Sequence, residues 1–243
     1  MFDVSGQIAV ITGAGQGLGL SFARALADAG CTVVLNGRDA ERLEKAAADI
    51  DGAYTAPFDV TDAAGVSAAI ARIERTVGPI SILINNAGTT TRAPLTDVAE
   101  RDWRTIIDTN LTGAFLVGAE TARHMLPRGR GKIINICSIR SKGARAGSAA
   151  YAASKGGLKL LTQGMCADWG PHGIQVNALA PGYIASGMAD PRLDSAAITA
   201  RTPAARLGAP DDLVGTLIYL ASSASDFVNG QIIYVDGGML AVL

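Results

Sequence analysis

The chain reads as an α/β protein: a doubly wound, mostly seven-stranded parallel sheet with helices on both faces. Two observations carry that reading. Short runs rich in β-branched residues alternate with longer Ala- and Leu-rich stretches along the whole chain. Alternation of this kind implies parallel strands joined by right-handed crossovers. The strand runs are also nearly continuous in apolar residues, as strands covered on both faces are. No linker, composition shift or internal repeat divides residues 1–243, which are read as one domain.

In chain order, the expected strands are residues 7–12 (QIAVIT), 32–36 (TVVLN), 53–58, 81–85 (SILIN), 132–137 (KIINIC), 174–179 (IQVNAL) and 231–235 (QIIYV). The expected helices are residues 17–29, 40–50, 63–77, 100–125, 151–169 and 211–221. In the last, Leu213, Leu217 and Leu220 recur at i, i+4 and i+7. Asp39 stands where the second helix needs an N-cap. Residues 183–209 break the rhythm: they have no strong period and contain Pro191 and Pro203. Connections in such folds usually run to ~2–6 residues. This one follows the sixth strand, and ligands of open α/β sheets bind outside the strands' carboxyl ends. It is read as a substrate lid.

Composition narrows the function. With 21 basic and 22 acidic residues the formal net charge is −1. No basic block offers a hold on nucleic acid or an anionic membrane. Cys31, Cys137 and Cys166 form no CxxC pair, and with His124 and His172 they lack metal-site spacing. No metal is expected. The N-terminal MFDVSGQ is not signal-like, and no apolar run approaches the ~18 residues of a membrane span. The expected location is cytoplasmic. Glycine is the outlier, at 29 of 243 residues. That is about 12%, against ~7% on average, without the Gly plus Pro content of a low-complexity chain. The excess therefore marks particular backbone positions.

The first of these follows the first strand: Thr12-Gly13-Ala14-Gly15-Gln16-Gly17-Leu18-Gly19. GxGxxG counted from Gly13 would end on Leu18, so the frame that fits is TGxxxGxG. Positions without side chains let backbone approach a pyrophosphate, and the helix N-terminus at Gln16–Gly19 offers it free N–H groups and positive dipole. No GxxxxGK[ST] is present, which excludes a P-loop. The second strand ends in Leu35-Asn36-Gly37-Arg38-Asp39. Neutral residues stand where an NAD site carries an acid, and the Arg38 guanidinium can grip a 2′-phosphate. NADP is favoured, with NAD possible. Tyr151-Ala-Ala-Ser-Lys155 places Tyr and Lys one helical turn apart on one face. Ser138 ends the fifth strand 13 residues before Tyr151. An ordinary phenol, pKa ~10, is a poor base near neutrality and needs help from a neighbouring cation.

With these residues in place, the chain resembles the short-chain dehydrogenase/reductase family over essentially its whole length. The resemblance rests on TGAGQGLG at 12–19, Asp59-Val60, Asn85-Asn86-Ala87-Gly88, Asn110, Ser138, YAASK at 151–155 and Pro181-Gly182. It implies a Rossmann-type fold, a nicotinamide cofactor, hydride transfer between carbinol and carbonyl, and a homotetramer. It implies Tyr151 as acid and base, Lys155 on the nicotinamide ribose, and Ser138 on the substrate oxygen. Asn110 would anchor a water of the proton relay; its other reading is a polar helix residue bonding locally. Asn86, Ala87 and Gly88 would line the adenosine side, with Asp59 and Val60 near adenine. Pro181, Gly182, Ile184 and Ser186 would cradle the carboxamide.

Within that family, NICS at 135–138, YAASKG at 151–156, residues 167–183, RTPAARLG at 201–208 and the stretch ending VDGGM at 239 look like gluconate 5-dehydrogenases. That subgroup usually carries Ile-Gln-Arg-Arg after NNAG; here the run is Thr89-Thr90-Thr91-Arg92. After the catalytic serine it tends to carry Gln-Ser-Glu; here the run is Ile139-Arg140-Ser141-Lys142. Arg92, Arg140, Lys142 and Arg145 form a basic rim that suits an anionic substrate, or else are solvated charges or subunit contacts. The expected substrate is a small molecule: a sugar acid, polyol or ketose. A 3-oxoacyl-thioester reductase and a non-catalytic dinucleotide-binding regulator are the alternatives. Intact Ser138, Tyr151 and Lys155 argue against the regulator.

Overall fold

Parallel pairing runs through one seven-stranded sheet in the order β3-β2-β1-β4-β5-β6-β7. The structure, a computed structural model, describes residues 1–185 and 195–242. Its strands are β1 (Ile8–Ile11), β2 (Thr32–Gly37), β3 (Tyr54–Pro57), β4 (Ile80–Asn85), β5 (Gly131–Ile136), β6 (Ile174–Pro181) and β7 (Ile232–Val235). The helices are α1 (Gly17–Asp28), α2 (Ala40–Ala47), α3 (Ala63–Thr76), α4 (Glu100–Ile107), α5 (Gly113–Met125), α6 (Ala149–Trp169), α7 (Ser195–Ala200) and α8 (Asp211–Ala221). Strand order reverses between β1 and β4. That switch point is where an open α/β sheet leaves a crevice at its carboxyl edge.

Successive strand residues point to opposite faces, so the apolar runs feed two cores. On one face Ile11, Leu35, Ile82 and Ile84 pack with Phe22 and Leu26 of α1 and Leu213, Leu217 and Leu220 of α8. On the other, Val10, Val34, Leu83 and Ile133 pack with Ile70 and Ile73 of α3, Val117 and Met125 of α5 and Met165 of α6. The outer strands depart from the expected two-sided cover. In β3 only Ala56 is buried, and every residue of β7 is only half-buried. Both are edge strands, with a neighbour on one side only.

The expected single helix over residues 100–125 is broken. Asp108–Thr112 form a π-helical turn between α4 and α5, with Asn110 buried at its centre. Such one-turn bulges insert an extra residue and re-aim the side chains around them. A β-carbon on Gly113, just past the turn, would lie 2.7 Å from Val60 Cγ2. The turn thus brings helix backbone against the loop after β3. Because of this split, the helix carrying Tyr151 is the sixth rather than the fifth.

Buried amides brace the sheet where the site begins. Asn85 of β4 donates to Asn135 Oδ1 of β5 at 2.9 Å and to the Ala114 carbonyl of α5 at 3.2 Å. Asn135 donates in turn to Thr162 Oγ1 of α6 at 2.9 Å. Each such bond contributes about 1 kcal/mol net, and leaving a buried partner unsatisfied costs more. The two ends of the expected lid also meet. Ala185 N–H donates to the Gly208 carbonyl at 2.7 Å and Gly208 N–H to the Tyr183 carbonyl at 2.9 Å. The segment contains α7, which its lack of period did not suggest; Ser186 and Pro191 lie outside the described residues.

Candidate active site

The glycine loop is pinned to the end of β4 through one hydroxyl. Thr12 Oγ1 accepts the backbone N–H groups of Asn86 and Ala87 at 2.9 and 3.0 Å. The Asn86 amide returns two bonds, to the carbonyls of Thr12 and Gly13 at 2.9 and 3.2 Å. Two glycines make this approach possible. Gly13 has φ +65°, and a β-carbon there would lie 2.9 Å from Ala87 Cα. A β-carbon on Gly19 would collide with the Gly13 carbonyl. Gln16 caps α1 in an extended conformation with no capping bond from its side chain, and no acid stands in the first turn. The free N–H groups there keep their positive field. A β-carbon on Gly17 would meet nothing within 4 Å, so the space over the helix start is open. Open cradle, free amides and uncompensated dipole fit a dinucleotide pyrophosphate.

Beyond β2, Asp39 caps α2 by accepting the Arg42 N–H at 3.0 Å, as expected. The Asn36 amide is buried and donates to the Ala56 and Phe58 carbonyls at 3.1 and 3.0 Å, tying β2 to β3 and the loop after it. The Arg38 side chain is 81% exposed and lies 3.9 Å from Asp59 Oδ2. Partial burial pushes the Asp59 carboxyl up, but the Thr61 N–H and O–H and the Arg38 charge outweigh it and hold it below the ordinary value. Val60 is buried beside it. Sequence reasoning missed Arg42, whose guanidinium reaches across from α2 to Gln16 Oε1 at 3.1 Å. Its place four residues past Arg38 was the available signal.

The catalytic candidates meet at the carboxyl ends of β5 and β6. Ser138 follows β5, caps a short 3₁₀ turn over Ile139–Ser141 and accepts the Arg140 N–H at 3.2 Å. Tyr151 lies half-buried in the first turn of α6. Lys155, only 4% exposed, donates from Nζ to the Ile136 carbonyl at 2.6 Å, and Nζ sits 5.8 Å from the Tyr151 ring centroid. Asn110 does not bond locally. Its Nδ2 donates to the Thr89 carbonyl at 2.9 Å and to Ser154 Oγ at 3.0 Å, while its Oδ1 accepts the Thr89 N–H at 2.7 Å. Ser154 Oγ donates on to the Tyr151 carbonyl at 2.8 Å. Gly88 packs beside this amide: a β-carbon there would stand 3.3 Å from Asn110 Oδ1.

Of the basic rim, Arg140 and Arg145 converge on a residue that motif matching passed over. Both donate to the Tyr183 hydroxyl, at 2.6 and 3.3 Å. Burial alone would raise the Tyr183 phenol, but the two guanidiniums outweigh it and hold it below its ordinary value. Lys142 is exposed and Arg92 is half-buried. Gly182 N–H donates to the Val235 carbonyl at 2.9 Å, so the turn after Pro181 is held against β7. Gly182, Tyr183 and Ile184 border a hollow of about 210 Å³ together with Thr202, Arg206 and Asp212. Ser186 falls outside the described residues. Among the described residues no helix is long and apolar enough to cross a membrane.

The chain is similar to known proteins. The family model described as short chain dehydrogenase matches residues 7–196. The chain is 50% identical to a gluconate 5-dehydrogenase of Gluconobacter oxydans, with 100% of this chain and 98% of that protein covered. It is 44% identical to a 5-keto-D-gluconate 5-reductase of Escherichia coli K12, over 100% of this chain and 99% of the other. It superposes with a TM-score of 0.95 and 47% identity on a gluconate 5-dehydrogenase from Burkholderia cenocepacia solved in complex with NADP and tartrate. That match covers 100% and 98% of the two chains.

Cys137 sits beside Ser138, yet burial pushes its thiol up to about 11 against the pull of Lys155 and Lys159. Burial and the Asp3 charge push Cys31 to about 11 as well. Such thiols stay protonated throughout the neutral range; at pH 8 the thiolate fraction is about one in a thousand. Native protein treated with iodoacetamide at pH 8 is expected to keep Cys31 and Cys137 unmodified, while urea exposes both to alkylation. Rapid native labelling of Cys137, read by peptide mass spectrometry, would contradict this.

Proposed function

The chain belongs to the short-chain dehydrogenase family, and from that premise we propose that it is an NADP-linked oxidoreductase of sugar acids. One observation carries the reading: glycine loop, Ser138, Tyr151, Lys155 and paired guanidiniums all open on one carboxyl edge of the sheet. The substrates named for the relatives support the acid. The domain is residues 1–243, with residues 183–209 as its lid.

When bound, nicotinamide supplies or accepts the hydride. The N–H groups at Gln16–Gly19 hold the pyrophosphate, with Gly13 and Gly17 giving it room. Arg38 and Arg42 hold the 2′-phosphate. Asn36, Asp59, Val60, Asn86, Ala87 and Gly88 surround the adenosine. Pro181, Gly182 and Ile184, with Ser186, receive the carboxamide. NAD is the weaker ligand, because no acid ends β2 to take an unphosphorylated ribose.

Tyr151 gives its proton to the substrate oxygen in reduction and takes it in oxidation. Ser138 Oγ donates to the same oxygen and fixes its orientation. Lys155 spends one N–H on the Ile136 carbonyl. Two N–H groups are left for the nicotinamide ribose hydroxyls, and the ammonium charge favours the Tyr151 phenolate. Both donors of the Asn110 amide are engaged by Thr89 and Ser154. Asn110 therefore serves by holding the loop after β4 against α6. A cytoplasmic homotetramer completes the reading. Its support is apolar surface on neighbouring helices: Phe115 of α5 and Leu160 of α6 are 48% and 66% exposed.

Tyr151→Phe is expected to lower kcat for NADP⁺-dependent gluconate oxidation about 10²–10⁴-fold. Its NADP⁺ affinity, measured by calorimetry, should change little; undiminished turnover would refute the assignment. Replacing both Arg38 and Arg42 by Ala should cut kcat/KM for NADPH by about 10–100-fold and that for NADH by less than about threefold. Equal losses with the two cofactors would remove both arginines from the 2′-phosphate site.

A further inference from the structure

We propose that Tyr183 holds Arg140 and Arg145 together as a clamp for the substrate carboxylate, and that this clamp makes the enzyme select an acid over a neutral polyol. The proposal rests on the sugar-acid reading above. Tyr183 ends the stretch 167–183 quoted above, but spacing along the chain gives it no role. It is the register of β5 with β6 that places it.

Ile136 of β5 lies opposite Leu179 of β6, so Arg140 and Tyr183 leave the same sheet edge four residues past that pair. Arg140 follows Ser138 by two residues in the 3₁₀ turn. Arg145 is fixed from the other side: its carbonyl accepts Ser148 Oγ at 2.8 Å, immediately before α6 and three residues short of Tyr151. The two arginines therefore stand in the stretch of chain that joins Ser138 to Tyr151, and Arg140 donates its backbone N–H to Ser138 Oγ. The Arg140 guanidinium carbon is 5.7 Å from the Tyr183 ring centroid, at its hydroxyl end.

The arrangement is electrostatically incomplete by itself. Arg24, Arg104, Arg128 and Arg206 each face a carboxylate. Among the described residues none lies within ion-pair distance of Arg140 or Arg145. Instead two like charges share one phenol oxygen, which is neutral until it ionises. Like charges held together repel, and an anion placed between them reverses the sign of that term. Each guanidinium has five N–H donors and gives one to Tyr183, so forked donors are left for a carboxylate. The phenol spaces the two arginines; it is a positioning residue.

Steady-state kinetics with NADP⁺ test this on the full-length enzyme, using D-gluconate and its neutral counterpart D-sorbitol. Arg140→Gln and Arg145→Gln should each raise KM for gluconate about 10–100-fold, with kcat and the KM for sorbitol changed less than about threefold. Arg140→Lys should recover part of the loss. Tyr183→Phe keeps the ring and should raise KM for gluconate about 3–10-fold, again sparing sorbitol. An unchanged KM for gluconate in Arg140→Gln overturns the clamp while the substrate reading stands. Equal losses on both substrates overturn it too, because they mark a merely structural role. A wild-type enzyme that oxidises only the neutral polyol overturns the substrate reading. Tartrate, added as a competitor, then decides the clamp separately: inhibition relieved in Arg140→Gln supports it, and no inhibition of the wild type overturns it.

Discussion

The Thr12 hydroxyl accepts two backbone N–H groups from the chain leaving β4, and this closes the crevice between β1 and β4 to a fixed width. Everything on the carboxyl edge is placed relative to that closure. Gly13 and Gly19 exist as glycines because the two chains come that near. From Asn86 the backbone runs through Gly88 to Thr89, whose N–H and C=O are both taken by the Asn110 amide. Asn110 continues to Ser154, and Ser154 to the Tyr151 carbonyl. The glycine loop and Tyr151 are thus joined by one unbroken series of short, buried or half-buried contacts. Preorganisation of this kind is what proton transfer with tight geometric demands requires.

The same edge concentrates positive charge. Lys155 is buried against a carbonyl, not against a carboxylate, so its charge is available to Tyr151. The dipole of α1 adds positive potential at the loop, and Arg38 and Arg42 extend it past β2. Arg140 and Arg145 add it on the far side of Ser138. A chain of net charge −1 therefore gathers cations along one edge, with Asp59 and Asp39 standing beside Arg38 and Arg42.

Much of this was legible in residue order. Apolar runs of two-sided strands gave the sheet, because Val10 and Ile11, or Leu83 and Ile84, each fill a different core. Asp39 as a cap and the Tyr151–Lys155 pair are local, and local chemistry needs no third dimension. What stayed hidden depended on packing. The π turn at Asp108–Thr112 keeps an apolar periodicity close enough to an ordinary helix that residues 100–125 read as one. The Arg42–Gln16 bond depends on how α2 lies against the glycine loop. Tyr183 meets Arg140 only because β5 and β6 are neighbours in register, and no spacing in the chain records that. Edge strands β3 and β7 read as buried because apolar content alone does not say which strand lacks a neighbour.

The proposed reaction passes a hydride between NADP and the carbinol carbon of a sugar acid. The most direct measurement follows the hydride itself. 5-Keto-D-gluconate is reduced with NADPH carrying deuterium at either one of the two C4 positions, and the product is weighed by mass spectrometry. The expected product is a hydroxy acid one mass unit heavier from one labelled cofactor and unlabelled from the other. Absence of product, or product without deuterium from both cofactors, would contradict it.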